Sequence, residues 1–359
     1  MMELVLDEDH ELVARAARDF VAGRSSFKRV RGLREAGGFS RELWAQMAEL
    51  GWLGLTIPEE FGGAGLGHVH AMLVAEELGR GLMPEPWIPT VAAGAAALQL
   101  AGSPEQRREH LPAIAGGKRL LALAYLEAGQ RFAWERPATT VEGGRLRGEK
   151  LHVDGGATAD WLVVSARGPG DVGVELWLVP AEETQRERLQ RIDGRDAALV
   201  RLDGARAERL PGGDLGAVLD RATIGLCAEM LGSAEAAFEM TNAYLKSRVQ
   251  FGVPIGTFQA LQHRAARLFI ELELMRAAVW SAHALLDAGG DARAAASVAK
   301  AKCSDAAILI GHEAVQLHGG IGMTEEHDVG LFLKRARVAE MTFGDAAYHR
   351  DRFAALTGF

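Results

Sequence analysis

The chain has 359 residues, of which 48% are apolar and 25% charged, and its formal net charge is −8. This length accommodates two or three domains with their own cores, and the composition is that of an ordinary globular protein. The acidic balance argues against nucleic acid or an anionic membrane as a partner. No apolar run reaches transmembrane length, and the acidic, helix-like N-terminus is unlike a signal peptide.

The two cysteines, Cys227 and Cys303, are far apart in the chain and lie in apolar, helical surroundings. We interpret them as reduced core residues of a cytoplasmic protein. No Cys/His cluster has the spacing of metal ligands, so we predict no metal site.

Residues 1–117 show the periodicity of helices and are predicted to form an all-helical first domain. Ser40 is placed to cap one of these helices. Prolines between Pro84 and Pro89 predict an irregular passage around Trp87. The predicted helices cover residues 3–22, 40–51, 68–81, 92–101 and 103–115.

Residues 118–211 change to the short, glycine-separated runs that are typical of strands. They predict a small antiparallel β domain, with turns at Gly143-Gly144, Gly155-Gly156 and Gly168–Gly170. The predicted strands lie within residues 120–128, 138–142, 145–155, 160–167, 174–181 and 199–210.

Residues 212–359 return to helical periodicity and predict a bundle of long helices. The expected fold class is therefore α+β but mostly α, with an N-terminal helical domain, a central antiparallel β domain and a C-terminal domain of the four-helix-bundle type. The predicted C-terminal helices cover residues 215–246, 258–288, 292–318, 326–339 and 346–356.

Ser247–His263, SRVQFGVPIGTFQALQH, interrupts this helical pattern with a Gly-Pro-Gly turn. Arg248 suits a bidentate grip on phosphate oxygens, and Gln250, Phe251 and Gln259 stand close to it in sequence. Taken by its spacing alone, the stretch favours a plain helix–loop–helix turn with a surface arginine.

A second glycine-rich stretch, AVQLHGGIGMT at residues 314–324, carries Gln316, Gly319 and Gly320. Together the patterns RxQFGxPIGxFQxxQH and QxHGGxGxT resemble the acyl-CoA dehydrogenase family, and so does LGWLGLTIPEEFGGAGLG at residues 50–67. The resemblance covers nearly the whole chain. It implies that both glycine-rich stretches bind FAD, across a subunit interface, in a tetramer.

The β domain departs from the family pattern at two places. Tyr125–Gln130 reads YLEAGQ where the family has a Thr-Glu-Pro turn followed by Gly-Ser-Asp, and Val153 stands about where Thr or Ser is usual. Trp161 is interpreted as a core residue, with an approach to the flavin as the alternative. Backbone contacts to a flavin do not depend on side chains, whereas its side-chain tuning is expected to differ.

The dehydrogenation implied by the resemblance needs a polarised thioester carbonyl and a carboxylate base. Gly344 stands at the family's glutamate position and cannot be a base, although its N–H can polarise the thioester. Asp345, one residue further on, is interpreted as the N-cap of the following helix, with a role as the base as the alternative. The pair Asp220-Arg221 matches the alternative Glu-Arg position. Asp220 is then either the base, with a reach shorter by ~1.5 Å, or a structural acid in the first turn of its helix.

Three functions therefore stay open. The first is an acyl-CoA dehydrogenase that forms a trans-2-enoyl-CoA, with Asp220 as base and Arg221 supporting it. The second is a non-catalytic FAD-binding partner, because the chain resembles the short subunits of actinobacterial-type heteromeric acyl-CoA dehydrogenases that handle steroid-like chains. The third is a flavin oxidase or monooxygenase. The resemblance implies an acyl-CoA substrate, an electron-transferring flavoprotein as acceptor, and a homotetramer or heterotetramer.

Overall fold

The computed structural model describes residues 6–36, 38–168 and 173–359. Residues 3–5 of the predicted first helix and residues 169–170 of a predicted turn lie outside these ranges. Within them, no helix is both long enough and apolar enough to cross a bilayer.

The N-terminal third is helical, and its helices begin at polar caps. Asp7 accepts a hydrogen bond from the N–H of His10, Ser40 from that of Leu43, and Ser103 forms a capping box with Gln106. The prolines near Trp87 lead into wide π-helical turns over Ile88–Ala95. The α-helices are α1 Glu8–Arg24, α2 Phe27–Ala36, α3 Arg41–Glu49, α4 His68–Arg80, α5 Ala96–Ala101 and α6 Pro104–Ala115.

The middle third forms one twisted sheet with the strand order β6-β7-β3-β2-β4-β5-β8, and β1 pairs with β4. Its strands are β1 Leu121–Ala124, β2 Thr140–Glu142, β3 Arg145–Asp154, β4 Trp161–Arg167, β5 Val174–Pro180, β6 Gln185–Arg188, β7 Ala197–Arg206 and β8 Glu208–Leu210.

Pairing in this sheet is antiparallel except that β1 and β2 each run parallel to β4. The purely antiparallel expectation is corrected here, because other chain segments lie between each parallel pair and return the chain to the same end of the sheet. One face of the sheet buries a core that includes Leu146, Val153, Leu162, Val179 and Val200.

The last third is helical, as predicted. Its long central helix α9 packs against α8, α10 and α11, and alanines such as Ala296, Ala299 and Ala306 on its buried face allow close approach. A small hairpin joins α7 to α8. The elements are α7 Leu215–Ser247, β9 Val249–Gln250, β10 Val253–Pro254, α8 Gln259–Asp287, α9 Arg293–His318, α10 Val329–Met341 and α11 Ala346–Thr357.

The predicted fold class is confirmed: a mostly helical α+β protein with a central sheet and a C-terminal helical domain. By contacts the chain groups into two compact units. The first is Met1–Val30, His68–Met83 and Thr223–Phe359, and the second is Arg31–Gly67 and Pro84–Ala222. The division into 1–117, 118–211 and 212–359 stays our proposal for the sequence domains.

Candidate functional site

The stretch after α7 turns back on itself in the hairpin of β9 and β10. Phe251 and Gly252 form its two-residue turn with φ of +52° and +84°, the backbone that a type I′ turn requires. A bulky residue at positive φ is uncommon, and the Phe251 side chain is 92% exposed. The turn therefore holds an aromatic ring out into solvent in a strained backbone, which is typical of a binding element.

Arg248 stands at the base of this hairpin. Its N–H donates to the carbonyl of Tyr244 at 2.8 Å, and its own carbonyl accepts from the N–H of Ile255 at 2.8 Å. Its exposed guanidinium has no hydrogen bond or ion pair among the residues the structure describes. Backbone bonds therefore fix the position of Arg248 and leave its charged head available.

Two amides accompany Arg248. Gln250 donates through Nε2 to the carbonyl of Val249 at 2.9 Å. Gln259 is exposed and is the first residue of α8, whose N-cap, Phe258, offers no side-chain cap. The first N–H groups of a helix and its dipole favour an anion. Arg248 and the start of α8 thus present cationic character on the same short segment.

The second glycine-rich stretch follows the end of α9. Gly319 has φ of +65°, and Gly319–Met323 form a 3-10 turn. A Cβ at Gly319 or Gly320 would meet nothing within 4 Å, so internal packing does not require glycine there. An open glycine surface beside the exposed Gln316 allows a ligand or another chain to approach the backbone closely.

The two glycine-rich stretches are neighbours because the ends of α7 and α9 pack together. The ring of Tyr244 lies 4.5 Å from that of His318, which lies 4.4 Å from His327. Nδ1 of His318 donates to the carbonyl of Ala314, and its buried Nε2 has no hydrogen-bond partner in the described ranges. Arg248 and Gln316 are carried by adjacent helix ends.

These groups fit the diphosphate and ribitol of a dinucleotide. The Arg248 guanidinium, three side-chain amides, an uncapped helix start and open glycines supply hydrogen-bond donors and access for such a ligand. Among the described residues, no group of three or more potential metal ligands lies close together.

Gly344 lies in the short loop between α10 and α11, far from the first two stretches along the chain. Phe343 and Gly344 have φ of +60° and +113°. A Cβ on Gly344 would lie 2.5 Å from Cδ1 of Tyr348 and 2.8 Å from Nε2 of His349. The loop therefore excludes every side chain at position 344, including the glutamate of the family pattern.

Asp345 caps α11 by accepting a hydrogen bond from the N–H of Tyr348 at 2.8 Å. The N-cap interpretation of Asp345 is confirmed.

Two buried side chains hold the carbonyls of this loop. Nζ of Lys300 donates to the carbonyl oxygens of Gly344 at 2.6 Å and Glu340 at 2.9 Å, and to Oγ of Ser304 at 3.0 Å. Burial lowers the pKa of Lys300 to about 8. His349 bonds through Nε2 to the carbonyl of Phe343 at 3.0 Å, and burial, followed by the charge of Lys300, lowers its pKa to about 3.

Asp220 and Arg221 lie near the start of α7, in the second unit. Asp220 is buried and is the sixth residue of the helix, so the expected place in the first turn is wrong by one turn. The dipole effect that would stabilise a structural acid falls off beyond the first turn. Burial lowers the pKa of Arg221, which is half-buried and has no hydrogen bond or ion pair in the part of the chain that is described.

The β domain explains the departures at Tyr125–Gln130 and Val153. Glu127 is buried and forms an ion pair with Lys150, Oε1 to Nζ at 2.6 Å, so it serves the interior of the sheet. Val153 is a core residue, while the neighbouring His152 has φ of +48° at a bulge between β3 and β7 and is exposed. The residue that the bulge presents outward is therefore His152.

Trp161 packs against His110, with the ring centroids 4.8 Å apart, and under Arg119 at 5.6 Å. Trp161 itself is half-buried, so the core interpretation and the approach to the flavin both stay predictions.

Lys300 and His349 escaped the sequence reasoning. A lysine is ordinarily a surface residue, but Ala296, Lys300, Cys303 and Ala307 recur at helical spacing on one apolar face of α9. That periodicity was the available signal that Lys300 points inward.

Comparison with known families gives two matches. The model described as the N-terminal domain of acyl-CoA dehydrogenases matches residues 7–118, and the model described as the C-terminal domain matches residues 215–356.

Individual relatives agree over nearly the full length. The protein of Mycolicibacterium smegmatis named acyl-CoA dehydrogenase IpdE2 is 31% identical and aligns over 94% of this chain and 96% of its own length. Among solved structures, the Tcur3481-Tcur3483 steroid ACAD G363A variant is 33% identical, with a TM-score of 0.91 over 98% of both chains. The ChsE4-ChsE5 complex from Mycobacterium tuberculosis is 27% identical, with a TM-score of 0.91 over 99% of both chains.

Proposed function

The chain belongs to the acyl-CoA dehydrogenase family of oxidoreductases, whose cofactor is FAD, and on that premise we propose that it takes part in the α,β-dehydrogenation of an acyl-CoA thioester to a trans-2-enoyl-CoA. The observation that carries this proposal is the loop at Gly344. Among the described residues, its N–H has no hydrogen-bond partner, and its backbone admits no side chain that would cover that N–H.

FAD would be held by Arg248, Gln250, Phe251 and Gln259 together with three residues after α9, which are Gln316, Gly319 and Gly320. Lys300, which bonds the Gly344 loop, and Gln316 lie on the same helix, sixteen residues apart, or about 24 Å at 1.5 Å per residue. This separation, and the exposure of both glycine-rich stretches, support a flavin held by two chains, and hence a homotetramer or heterotetramer.

The reaction requires a hydrogen-bond donor for the thioester oxygen and a base for the α proton. The N–H of Gly344 would bind the thioester oxygen and stabilise the negative charge that develops there when the α proton leaves. Asp220 would accept that proton, with Arg221 supporting its orientation. Bound FAD supplies the acceptor for the hydride that leaves Cβ. One C–H bond breaks at each carbon and the C=C bond forms between them.

A second candidate role is that of a FAD-binding partner whose base comes from another subunit. Two observations favour it. Position 344 is closed to a glutamate, and two similar structures are each named for two components, Tcur3481-Tcur3483, which is called a steroid ACAD, and ChsE4-ChsE5. A bulky, steroid-like acyl group is then the proposed substrate class. In either role we propose an electron-transferring flavoprotein as the electron acceptor.

Asp220→Asn separates the two roles. If Asp220 is the base, the purified chain oxidises acyl-CoA with an artificial electron acceptor, and the variant loses about 10²- to 10⁴-fold in turnover while its flavin absorbance is unchanged. Asp345→Asn is the matched control, because an asparagine still caps α11.

Two other outcomes decide against the first role. A chain that is inactive alone, but becomes yellow and active with a second subunit, assigns it the partner role if Asp220→Asn leaves that activity intact. A flavin-loaded chain that, alone and with a second subunit, neither binds nor oxidises any acyl-CoA contradicts both roles.

A further inference from the structure

The loop at Gly344 owes its shape to two buried side chains that lie on different helices. Lys300 of α9 and His349 of α11 are both buried, and they bond the two consecutive carbonyls of Phe343 and Gly344. We propose that Lys300 and His349 are positioning residues that aim the Gly344 N–H at the thioester oxygen. This inference rests on the proposed function.

Because of the geometry of the peptide bond, His349 determines the direction in which the Gly344 N–H points. The carbonyl of Phe343 and the N–H of Gly344 belong to one peptide group, and no cis bond occurs among the described residues. In a trans peptide the C=O and N–H point in opposite directions. Because His349 holds that carbonyl, the Gly344 N–H is turned to the opposite side of the peptide plane, away from α11.

The protonation of His349 is fixed by its surroundings. A carbonyl only accepts, so Nε2 must carry the proton that donates to Phe343. The other ring nitrogen, Nδ1, lies 3.4 Å from Oγ of Ser297, which in turn accepts from Nη1 of Arg352 at 3.2 Å. The hydroxyl of Ser297 is therefore directed to the ring as donor, and the neutral tautomer is set from outside the loop.

Lys300 fixes the next peptide group. An ammonium has three donors, and the three acceptors of Lys300 are the Gly344 carbonyl, the Glu340 carbonyl and the Ser304 hydroxyl. None is a carboxylate. Burying a cation without a bonded counter-ion costs free energy. A neutral donor would make a purely structural hydrogen bond at a lower cost in free energy. The positive charge also lies behind the loop that would face the developing oxyanion.

The variants are Lys300→Met and His349→Leu, which remove each donor at similar volume. His349→Gln is the conservative variant, because its amide can still donate to the Phe343 carbonyl. Lys302→Met is the matched control: Lys302 lies on the same helix and pairs with Glu271, away from the loop.

The probe is a 3-thia-acyl-CoA with ¹³C at the thioester carbonyl, chosen from a chain-length series as the tightest binder of the FAD-loaded enzyme. Sulfur replaces Cβ, so no hydride can leave. Difference infrared spectroscopy reports the polarisation of the carbonyl as a downshift of its stretching band. Turnover, probe Kd, flavin content and Tm are measured on the same preparations.

We expect a clear downshift in the parent, the Lys302→Met control and His349→Gln. In Lys300→Met and His349→Leu the band returns toward that of free thioester, and kcat falls about 10- to 100-fold while probe Kd and flavin content change less than about threefold. Variants with an unchanged band would overturn the positioning role alone. If the carbonyl band of the parent shows no downshift, the proposed role of Gly344 is wrong, and the inference about Lys300 and His349 fails with it.

Discussion

Two fully buried lysines, one in the sheet and one in the helical bundle, are held in opposite ways. Burial lowers the pKa of both to about 8. Lys150 meets a carboxylate, since its Nζ bonds Oε1 of Glu127 at 2.6 Å and Oγ of Ser165 at 3.0 Å. Lys300 bonds only neutral oxygens, and two of its three acceptors are carbonyls at the edges of one loop.

This difference distinguishes Lys150, whose charge stabilises the fold, from Lys300, whose charge supports the candidate site. Glu127 also accepts hydrogen bonds from the N–H groups of Ala138 and Thr139 and from the hydroxyl of Thr139. Burial raises the pKa of Glu127, but the charge of Lys150 and these bonds outweigh it, and the net pKa is lowered. The pair in the sheet is complete in itself, whereas Lys300 is satisfied only if the Gly344 loop keeps its shape.

The largest effect is expected when the pair in the sheet is broken. Lys150→Met strands a buried carboxylate, and we expect the free energy of unfolding to fall by about 3–5 kcal/mol. The double variant Glu127→Leu/Lys150→Met should recover most of that loss, because no charge is left unpaired. Urea unfolding followed by circular dichroism measures both.

Lys300→Met is the comparison for this experiment. It leaves carbonyls, not a carboxylate, without a donor, so we expect a smaller loss of about 1–3 kcal/mol. Equal losses in Lys150→Met and Lys300→Met would remove the distinction between the two lysines.

Most of the fold could be predicted from the sequence because glycines and prolines mark its boundaries. The predicted helices for α7 and α9 each differ from the observed ones by one residue, and the one for α8 differs by one residue at each end. β6 was missed because its four residues, QRER, are all exposed and show no alternation. α2 was missed because its charged sequence, FKRVRGLREA, gives no clear apolar stripe.

The candidate site was only partly predictable. Arg248 and Gly344 were found because the residues next to each of them in the sequence form patterns that resemble those of a family. Such a pattern is visible in the sequence without any knowledge of the fold. Lys300 and His349 act through carbonyls that α9 and α11 meet only after folding. A local pattern contains no information on which distant carbonyl a buried donor will reach.

A second buried carboxylate, Glu76 on α4, sharpens the contrast with Glu127. It accepts a hydrogen bond from Nη1 of Arg276 at 3.1 Å, yet burial raises its pKa from 4.5 to about 7 against the charge of Arg276, with the nearby Glu235 and Glu77 adding to the rise. The pKa of Glu127 is lowered instead, because backbone and hydroxyl donors add hydrogen bonds to its carboxylate beside that of Lys150.

Because the folded pKa of Glu76 lies above the unfolded one, its stabilising contribution is full below about pH 4.5 and is lost as the pH rises through 7. Between pH 5 and pH 8 the parent should lose about 2–3 kcal/mol more than Glu76→Gln, which cannot ionise. Glu239→Gln, on the exposed side of the same cluster and bonded to Arg80, is the control and should follow the parent. Parallel pH curves for parent and Glu76→Gln would contradict the raised pKa.

The smallest effect is expected at Asp345, which borders the Gly344 loop but points its carboxylate at α11. Its Oδ1 accepts from the N–H of Tyr348 at 2.8 Å, so Asp345→Ala should cost about 1 kcal/mol, measured as a fall in the urea midpoint. Asp345→Asn keeps an acceptor, so its free energy of unfolding should stay within a few tenths of a kcal/mol of that of the parent. Turnover per bound flavin separates a cap from a base: a structural cap leaves it unchanged in Asp345→Asn, whereas its collapse in that variant would make Asp345 the proton acceptor in place of Asp220.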